Sequence, residues 1–481
     1  MATGYKHGIY GEYIPTSEKI SEAIGTIPVY FGVAPTHRIE NSNELSNTPI
    51  LVSSLAEAEA KLGYSESDDF DKYTLSGAVY AHYQNSIEKI GPIVCISVLD
   101  TTVHKAVEKT TTTTTPVNNI VVLPETTIVD TVTVTGKEEG TDYYLERNNN
   151  GSINVHFIEE SGEITIEHYN IDLSSLNAET IVGQSEVSTG KRKGIYCIDD
   201  VYNKLNVIPN ILVAPKYSKE AAVRTKLLEK SKNISGLWDA IVITDMEATT
   251  SNISTVISKK DTDKLKSIDE ELCYPLVKMN GKKIYGSIAR TVATQITDTK
   301  GGGVPYQSAS NVEIGISGMV LEDGSECAMN FVDANRLNEN GICTFLYFGG
   351  KYVTWGPHAS IYKYGETSNP AEIFTVNRRM DIYLNNDFKY RRTDLVDKAM
   401  RRNDIQSIVE SEQLRLNALI AEGKLLFGSI EFRSSENPKS DVIQGDFRFN
   451  TMTTAPIPAK SITQSIEYTS EGIETLLGGE E

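Results

Sequence analysis

Short runs of contiguous apolar residues, each long enough for one strand, alternate with segments of helical character, and this alternation constrains the fold most. Thr26 to Val33, Pro92 to Leu99, Ile211 to Ala214 and Trp238 to Thr244 are apolar without a period of two. That texture belongs to strands covered on both faces, as in a mainly parallel sheet. Between them, Ser53 to Leu62 opens with capping residues and stops at Gly63, which predicts a helix. Further helices are expected over Leu75 to Ile87, Ser218 to Lys232 with Ser218 as its cap, Ile253 to Leu265 and Ile284 to Thr297. Leu272 to Val277 continues the sheet, and Ile342 to Phe348 with Lys351 to Trp355, split by Gly349-Gly350, reads as a hairpin. Thr375 to Glu422 is helical with a break near Asn403, where Asn403-Asp404 should cap a last helix closed by Gly423. Ile405, Ile408, Val409, Leu416 and Leu419 follow the helical period there, and Glu412 falls on the same apolar face.

Two regions depart from this texture. Thr110 to Thr115 is an unbroken threonine run ended by Pro116, expected to be an extended linker. After it, five short segments of alternating character (120–123, 126–135, 142–146, 153–158 and 163–169) predict a small all-β insert, with Asn148-Asn-Asn-Gly151 turning one hairpin. The whole chain carries a formal charge of −19, and Pro116 to Gly183 holds twelve acidic residues against Lys137 and Arg147. The insert is therefore a solvated acidic module, and the protein as a whole repels nucleic acid and anionic lipid.

The two ends are different again. Tyr5, Ile9, Tyr10, Tyr13 and Ile14 near the start, and Ile462, Ile466 and Tyr468 near the end, sit in strand-like segments without a sequence neighbour to pair with. No apolar run approaches the roughly 20 residues that span a bilayer. The first residues lack the apolar centre of a secretory signal, so the chain is expected to start in the cytoplasm.

Catalytic and ligand-binding constellations are not evident. Gly301-Gly-Gly303 lacks the spaced glycines and following Lys-Ser/Thr of a phosphate loop, and no Gly-x-Ser-x-Gly elbow occurs. The seven histidines are dispersed, and Asp68, Asp69 and Asp71 lack the alternating oxygens of a calcium loop. Asp199-Asp200 has no visible nucleophile or base beside it. Five widely spaced cysteines fit buried reduced thiols. No catalytic residue, cofactor or metal is expected. One segment stands out: Lys389, Arg391, Arg392, Lys398, Arg401 and Arg402 against Asp394 and Asp397. It reads either as a solvated helix face or as a docking surface for an acidic partner.

Three stretches, in order, resemble the contractile tail sheath family of phages and R-type bacteriocins. They are Gly286 to Thr291 followed by Gly303 to Ile314; Leu337-Asn-Glu-Asn-Gly-Ile342 with Tyr352-Val-Thr-Trp-Gly356; and Val376-Asn-Arg-Arg-Met380 through Gly423. The resemblance runs from about Gly8 to the C-terminus. Tyr306-Gln307 stands where the family commonly has another pair. What it implies is an α/β protein: a mixed sheath core, an inserted β-sandwich-like domain, and extended N- and C-terminal arms. The expected divisions are an arm 1–18, core 19–100, outer insert 101–183, a central subtilisin-like domain without its triad 184–355, a tube-proximal domain 356–460, and an arm 461–481. The resemblance implies stacked hexameric rings of this chain around an inner tube protein, with baseplate and tail terminator proteins as further partners. It implies no direct membrane insertion and a place in a phage tail or tailocin assembled in a bacterial cytoplasm. Lys398, Arg401 and Arg402 are then the expected tube contact, and the terminal segments are expected to join neighbouring copies. The rival readings are a receptor- or carbohydrate-binding tail protein, suggested by the β insert and tyrosine abundance, an α/β hydrolase, and another tail component.

Overall fold

In the computed structural model, residues 21–22, 25–159, 162–186, 188–470 and 472–473 are described. Tyr5, Ile9, Tyr10, Tyr13 and Ile14 lie outside them. At the centre is an eight-stranded sheet. Across it run Lys351–Trp355, Ile342–Phe348, Glu270–Cys273, Ile241–Asp245, Ile211–Val213, Pro28–Gly32, Ile93–Ser97 and Pro49–Val52. The inner six are mutually parallel, and each edge carries one antiparallel strand. Continuous apolar runs fold this way because both faces are buried. Tyr30, Ile211, Ile241 and Ile243 enter the core on one face, and Val29, Phe31, Leu212 and Val242 the core on the other.

Helix Gly286–Lys300 lies in the first of these cores and is buried from Gly286 to Asp298. A Cβ on Gly286 would stand 2.6 Å from the Pro275 carbonyl oxygen, so only glycine lets the helix start so close to the sheet. Asp245, at the end of its strand, accepts hydrogen bonds from the Ser287 backbone N–H at 2.8 Å and from Ser287 Oγ at 2.7 Å. It thereby serves the first turn of that helix in place of a local cap. Ser218 Oγ is taken up by Asp245 as well, receiving its backbone N–H at 2.9 Å. The expected role of Ser218 as a helix cap is therefore corrected: the helix is Ala221–Lys230, after a short turn of 3₁₀ helix.

The expected strand 272–277 is divided by Pro275. Glu270–Cys273 stays in the central sheet, and Leu276–Met279 joins Lys282–Ile284 and Ile316–Val320 in a second, antiparallel sheet. The threonine run is a strand and not a linker. Thr110–Thr114 pairs antiparallel with Ile164–His168, which pairs on its other side with Thr133–Val134. Threonine is β-branched and favours a half-buried pleat, which explains why a linker reading failed. A second three-stranded sheet, Ile120–Leu123, Ile153–Phe157 and Tyr143–Arg147, faces it across a core that includes Val121, Tyr143, Val155, Phe157 and Ile166. The hairpin turned by Asn148 to Gly151 forms as expected. The returning chain around Leu173, Leu176 and Ile181 packs against the central sheet.

This sandwich is bolted to the body. Arg38, fully buried, reaches Asp68 at 2.6 Å within the body and Glu125 of the sandwich at 3.5 Å. Asp130 accepts from the backbone of Asn41 and Ser42, and Arg147 donates to the Tyr64 carbonyl at 3.0 Å.

The C-terminal helices are held by charge. Thr375–Arg391 and Arg402–Ala421 are separated at Arg392 to Arg401, earlier than the expected break near Asn403. Asp404 does not cap by position; its carboxylate receives the Arg401 backbone N–H at 2.8 Å. Along the first helix, Arg379 pairs with Asp298, Arg378 with Asp269 at 2.5 Å, and Lys389 with Asp239 at 3.0 Å. Glu412 is buried at the crossing of the two helices, with Arg391 at 2.6 Å, Arg415 at 3.3 Å and Arg392 at 3.5 Å.

Two measurements test this account. Burial raises the Asp245 carboxyl to about 6, against the hydrogen bonds that favour its anion. Its folded value lies above the unfolded one near 3.9, so the native state holds the proton more tightly and this group's contribution is complete below about pH 4. As pH rises from 4 to 7 about 3 kcal/mol of it is lost. Asp245→Asn should therefore gain on the parent by that amount across the range in urea titrations at each pH. Glu412→Gln should cost about 2 kcal/mol, because three partly screened arginines lose their shared anion. The exposed Glu410→Gln, two residues away on the other side of the helix, should change stability by less than about 0.5 kcal/mol in the same titration.

Candidate functional site: the C-terminal arm and its surroundings

Beyond the central sheet, Met380, Leu384, Leu416 and Leu419 of the two C-terminal helices pack with Leu425 and Ile430. Ile430 belongs to a sheet of only two strands, Phe427–Glu431 and Asn450–Thr454, joined antiparallel. Among the described residues no third strand pairs with either one. Gln413 of the last long helix covers the outer edge of Phe427–Glu431, accepting from the Ile430 backbone N–H at 3.2 Å and donating to the Gly428 carbonyl at 3.0 Å. The edge of Asn450–Thr454 is left without a partner strand among the described residues, and a lone two-stranded ribbon is marginal by itself.

From Thr454 the chain crosses a groove of about 770 Å³ whose walls include Tyr306, Asn311, Asn338, Trp355, Tyr362 and Tyr364. Pro456 and Pro458 keep this crossing extended. Lys460 Nζ lies 5.3 Å from the Tyr364 ring centre and 6.0 Å from that of Tyr362. Beneath, His358 stacks on Tyr362 with centroids 3.6 Å apart. Burial lowers the His358 imidazole to about 4, so it is neutral in this stack at ordinary pH. Past Ser461 the chain leaves the body. Ile462 is 89% exposed, Ile466 85% and Tyr468 83%, and no strand forms there. The three C-terminal arm residues expected from sequence are thus all exposed and in no strand.

The basic segment divides in two. Lys389, Arg391 and Arg392 are consumed by Asp239, Asp387 and Glu412. Lys398, Arg401 and Arg402 are exposed and make no ion pair among the described residues, in the connection that leads into the first turn of the last long helix. They sit on a loop and a helix start, not along a helix face. Sequence reasoning noticed Glu412 as a break in an apolar pattern but had no means of seeing its three arginines, which come from both helices.

The other candidate groups are tied up structurally. Asp199 pairs with Lys230 at 2.7 Å, and Asp200 pairs with Arg192. All five cysteines are free and buried. Among the described residues no cluster of His, Cys, Asp and Glu could hold a metal, and no helix is long and apolar enough to cross a membrane. Asp245, the buried carboxyl at the end of a parallel strand, has serines and no histidine among its hydrogen-bond partners.

No family model matches the chain. It is 25% identical to the "Tail sheath protein" of Burkholderia phage BcepMu over an alignment of 508 residues that covers 100% of both chains. A chain of the anti-feeding prophage baseplate, solved by cryo-EM with 6-fold symmetrisation, superposes with a TM-score of 0.61 at 12% identity, covering 97% of this chain and 100% of that one. A chain from the PVC sheath complex of an extracellular contractile injection system, in its contracted state, gives 0.54 at 12% identity, covering 98% and 100%. Over its full length the chain is thus a homologue of a phage tail sheath protein, and it shares its fold with chains of the anti-feeding prophage baseplate and of the PVC sheath complex.

Proposed function

We propose that this chain is the repeating, non-catalytic subunit of a contractile tail sheath, stacked as hexameric rings around an inner tube. One observation carries the reading. An exposed arm, Ile462 to Tyr468, leaves the same unit that bears a two-stranded sheet whose Asn450–Thr454 edge has no partner strand among the described residues. An extended chain added to such an edge satisfies its own backbone and that of the acceptor. The arm of one copy completing the sheet of the next links subunits without fixing the angle between their bodies, so rigid bodies can turn while the links persist. Residues 1–18 serve in the same way at the other end of the chain.

The exposed cations Lys398, Arg401 and Arg402 face the tube, where an electrostatic contact screened by salt can form and release. The acidic sandwich of residues 101–183 lies outermost, and baseplate and terminator proteins close the ends of the particle, a phage tail or tailocin put together in the host cytoplasm. Contraction draws on new interface formed between copies, at roughly 25 cal/mol per Å² of apolar area before ordering costs are subtracted.

Two experiments decide it. The unmodified chain, viewed by negative-stain electron microscopy, should form long hollow cylinders. A variant ending at Lys460 and lacking residues 1–20 should stay folded but form none; ordered cylinders like those of the full chain would refute linkage by arms. Lys398→Glu, Arg401→Glu and Arg402→Glu together should leave the unfolding temperature within a few degrees of the parent. The same triple variant should fail to grow on purified tubes, and normal growth would remove these residues from the tube contact.

A further inference from the structure

Strands Ile342–Phe348 and Lys351–Trp355 form a hairpin, but the central sheet holds it only at its base. Its neighbour Glu270–Cys273 pairs with Ile342 and Cys343 alone, while the hairpin ladder continues out to Phe348 and Lys351. The tip beyond the sheet is aromatic on both faces. Tyr347, 59% exposed, stands edge-on to Tyr352 on one face, with ring centres 5.1 Å apart. On the other face Phe348 packs with Trp355 at 5.2 Å and Phe331 at 6.1 Å, next to the exposed Val332. The single charge on the tip, Lys351, is matched by Glu313 at 3.1 Å.

We propose that this tip is a contact surface for a second copy of the chain, a proposal that rests on the sheath reading. Three observations favour a copy over other occupants. First, the chain carries a charge of −19, so two copies repel over most of their surface, and an aromatic tip whose one charge is neutralised is where they approach without that penalty. Second, the patch continues into the groove crossed by the C-terminal arm, because Phe331 and Trp355 line that groove too. A copy tethered by the arm is therefore held close to the tip at high effective concentration. Third, the tip offers no cluster of Lys or Arg, which an anionic lipid surface would require.

The tip is much smaller than the roughly 1,200–2,000 Å² that a stable specific interface buries, so it cannot hold a dimer alone. It adds to the arm contact and is felt only in the polymer. The test compares cylinder formation by the full chain with that of Tyr347→Ser/Phe348→Ser, using Val122→Ser, an exposed apolar position on the distant sandwich, as control. The double variant should keep the parent's unfolding temperature as a monomer while its critical concentration for cylinder growth rises at least tenfold, with the control unchanged. Should the double variant misfold, Tyr347→Glu alone puts a negative charge on an exposed position and is expected to give the same rise. A critical concentration equal to the parent's in a folded tip variant overturns the contact and leaves the sheath reading standing. Absence of cylinders from the unmodified chain overturns the sheath reading and this contact with it.

Discussion

The pairing of Asp298 with Arg379 is the constraint on which the placement of the C-terminal third depends. Asp298 lies buried near the C-terminal end of the central helix, where the helix dipole disfavours an anion. Arg379 supplies the compensating charge from the first C-terminal helix, and Thr26 Oγ1 donates to the same carboxylate at 2.7 Å. Such a pair adds little net stability over a well-packed apolar contact, yet losing either partner is expensive. Its value here is directional. With Asp269–Arg378 and Asp239–Lys389 placed along the same helix, one docking angle satisfies all three charges. That angle in turn aims the two-stranded sheet and the arm that leaves it.

Glu412 extends the same logic outward. Its position on the apolar face of the last long helix looks like an error in an otherwise regular pattern, since a buried carboxylate without partners costs several kcal/mol. Arg391, Arg392 and Arg415 turn it into the joint between the two helices. By using up the inner part of the basic segment, this joint leaves Lys398, Arg401 and Arg402 as its free part. A run of six basic residues thus contains two physical roles that composition alone cannot separate.

What was legible in the residues was whatever local pattern decides. Apolar runs such as Ile211 to Val213 and Ile241 to Asp245 form buried parallel strands, the Gly349-Gly350 hairpin forms, and the alternating segments after Thr110 make a β sandwich. The misreadings share one cause, a side chain or segment spent on a distant partner. Thr110–Thr114 looked like a linker because its partner, Ile164–His168, lies some fifty residues on. Ser218 looked like a cap because Asp245 was not in view. For the candidate site the exposed state of Ile462, Ile466 and Tyr468 agrees with an arm short of a partner, whereas the ribbon of Phe427–Glu431 and Asn450–Thr454, open along the second strand, carried no sequence signal distinguishing it from an ordinary hairpin.

The sandwich shows why an added module need not weaken such a machine. A flexible outer domain would absorb part of any rotation imposed on the body, but here polar contacts centred on the buried Arg38 tie the junction. Arg38 holds Asp68 of the body and Glu125 of the sandwich at once, while a Cβ on Gly151 would fall 2.6 Å from the Arg38 guanidinium carbon. The close approach at Gly151 and the Asp130 bonds to Asn41 and Ser42 leave the sandwich little freedom to rock. The inserted domain and the C-terminal helices are thus each joined to the central body by charged side chains. The arm has no such ties among the described residues: Pro456 and Pro458 precede a stretch, to residue 470, that makes no sheet of its own.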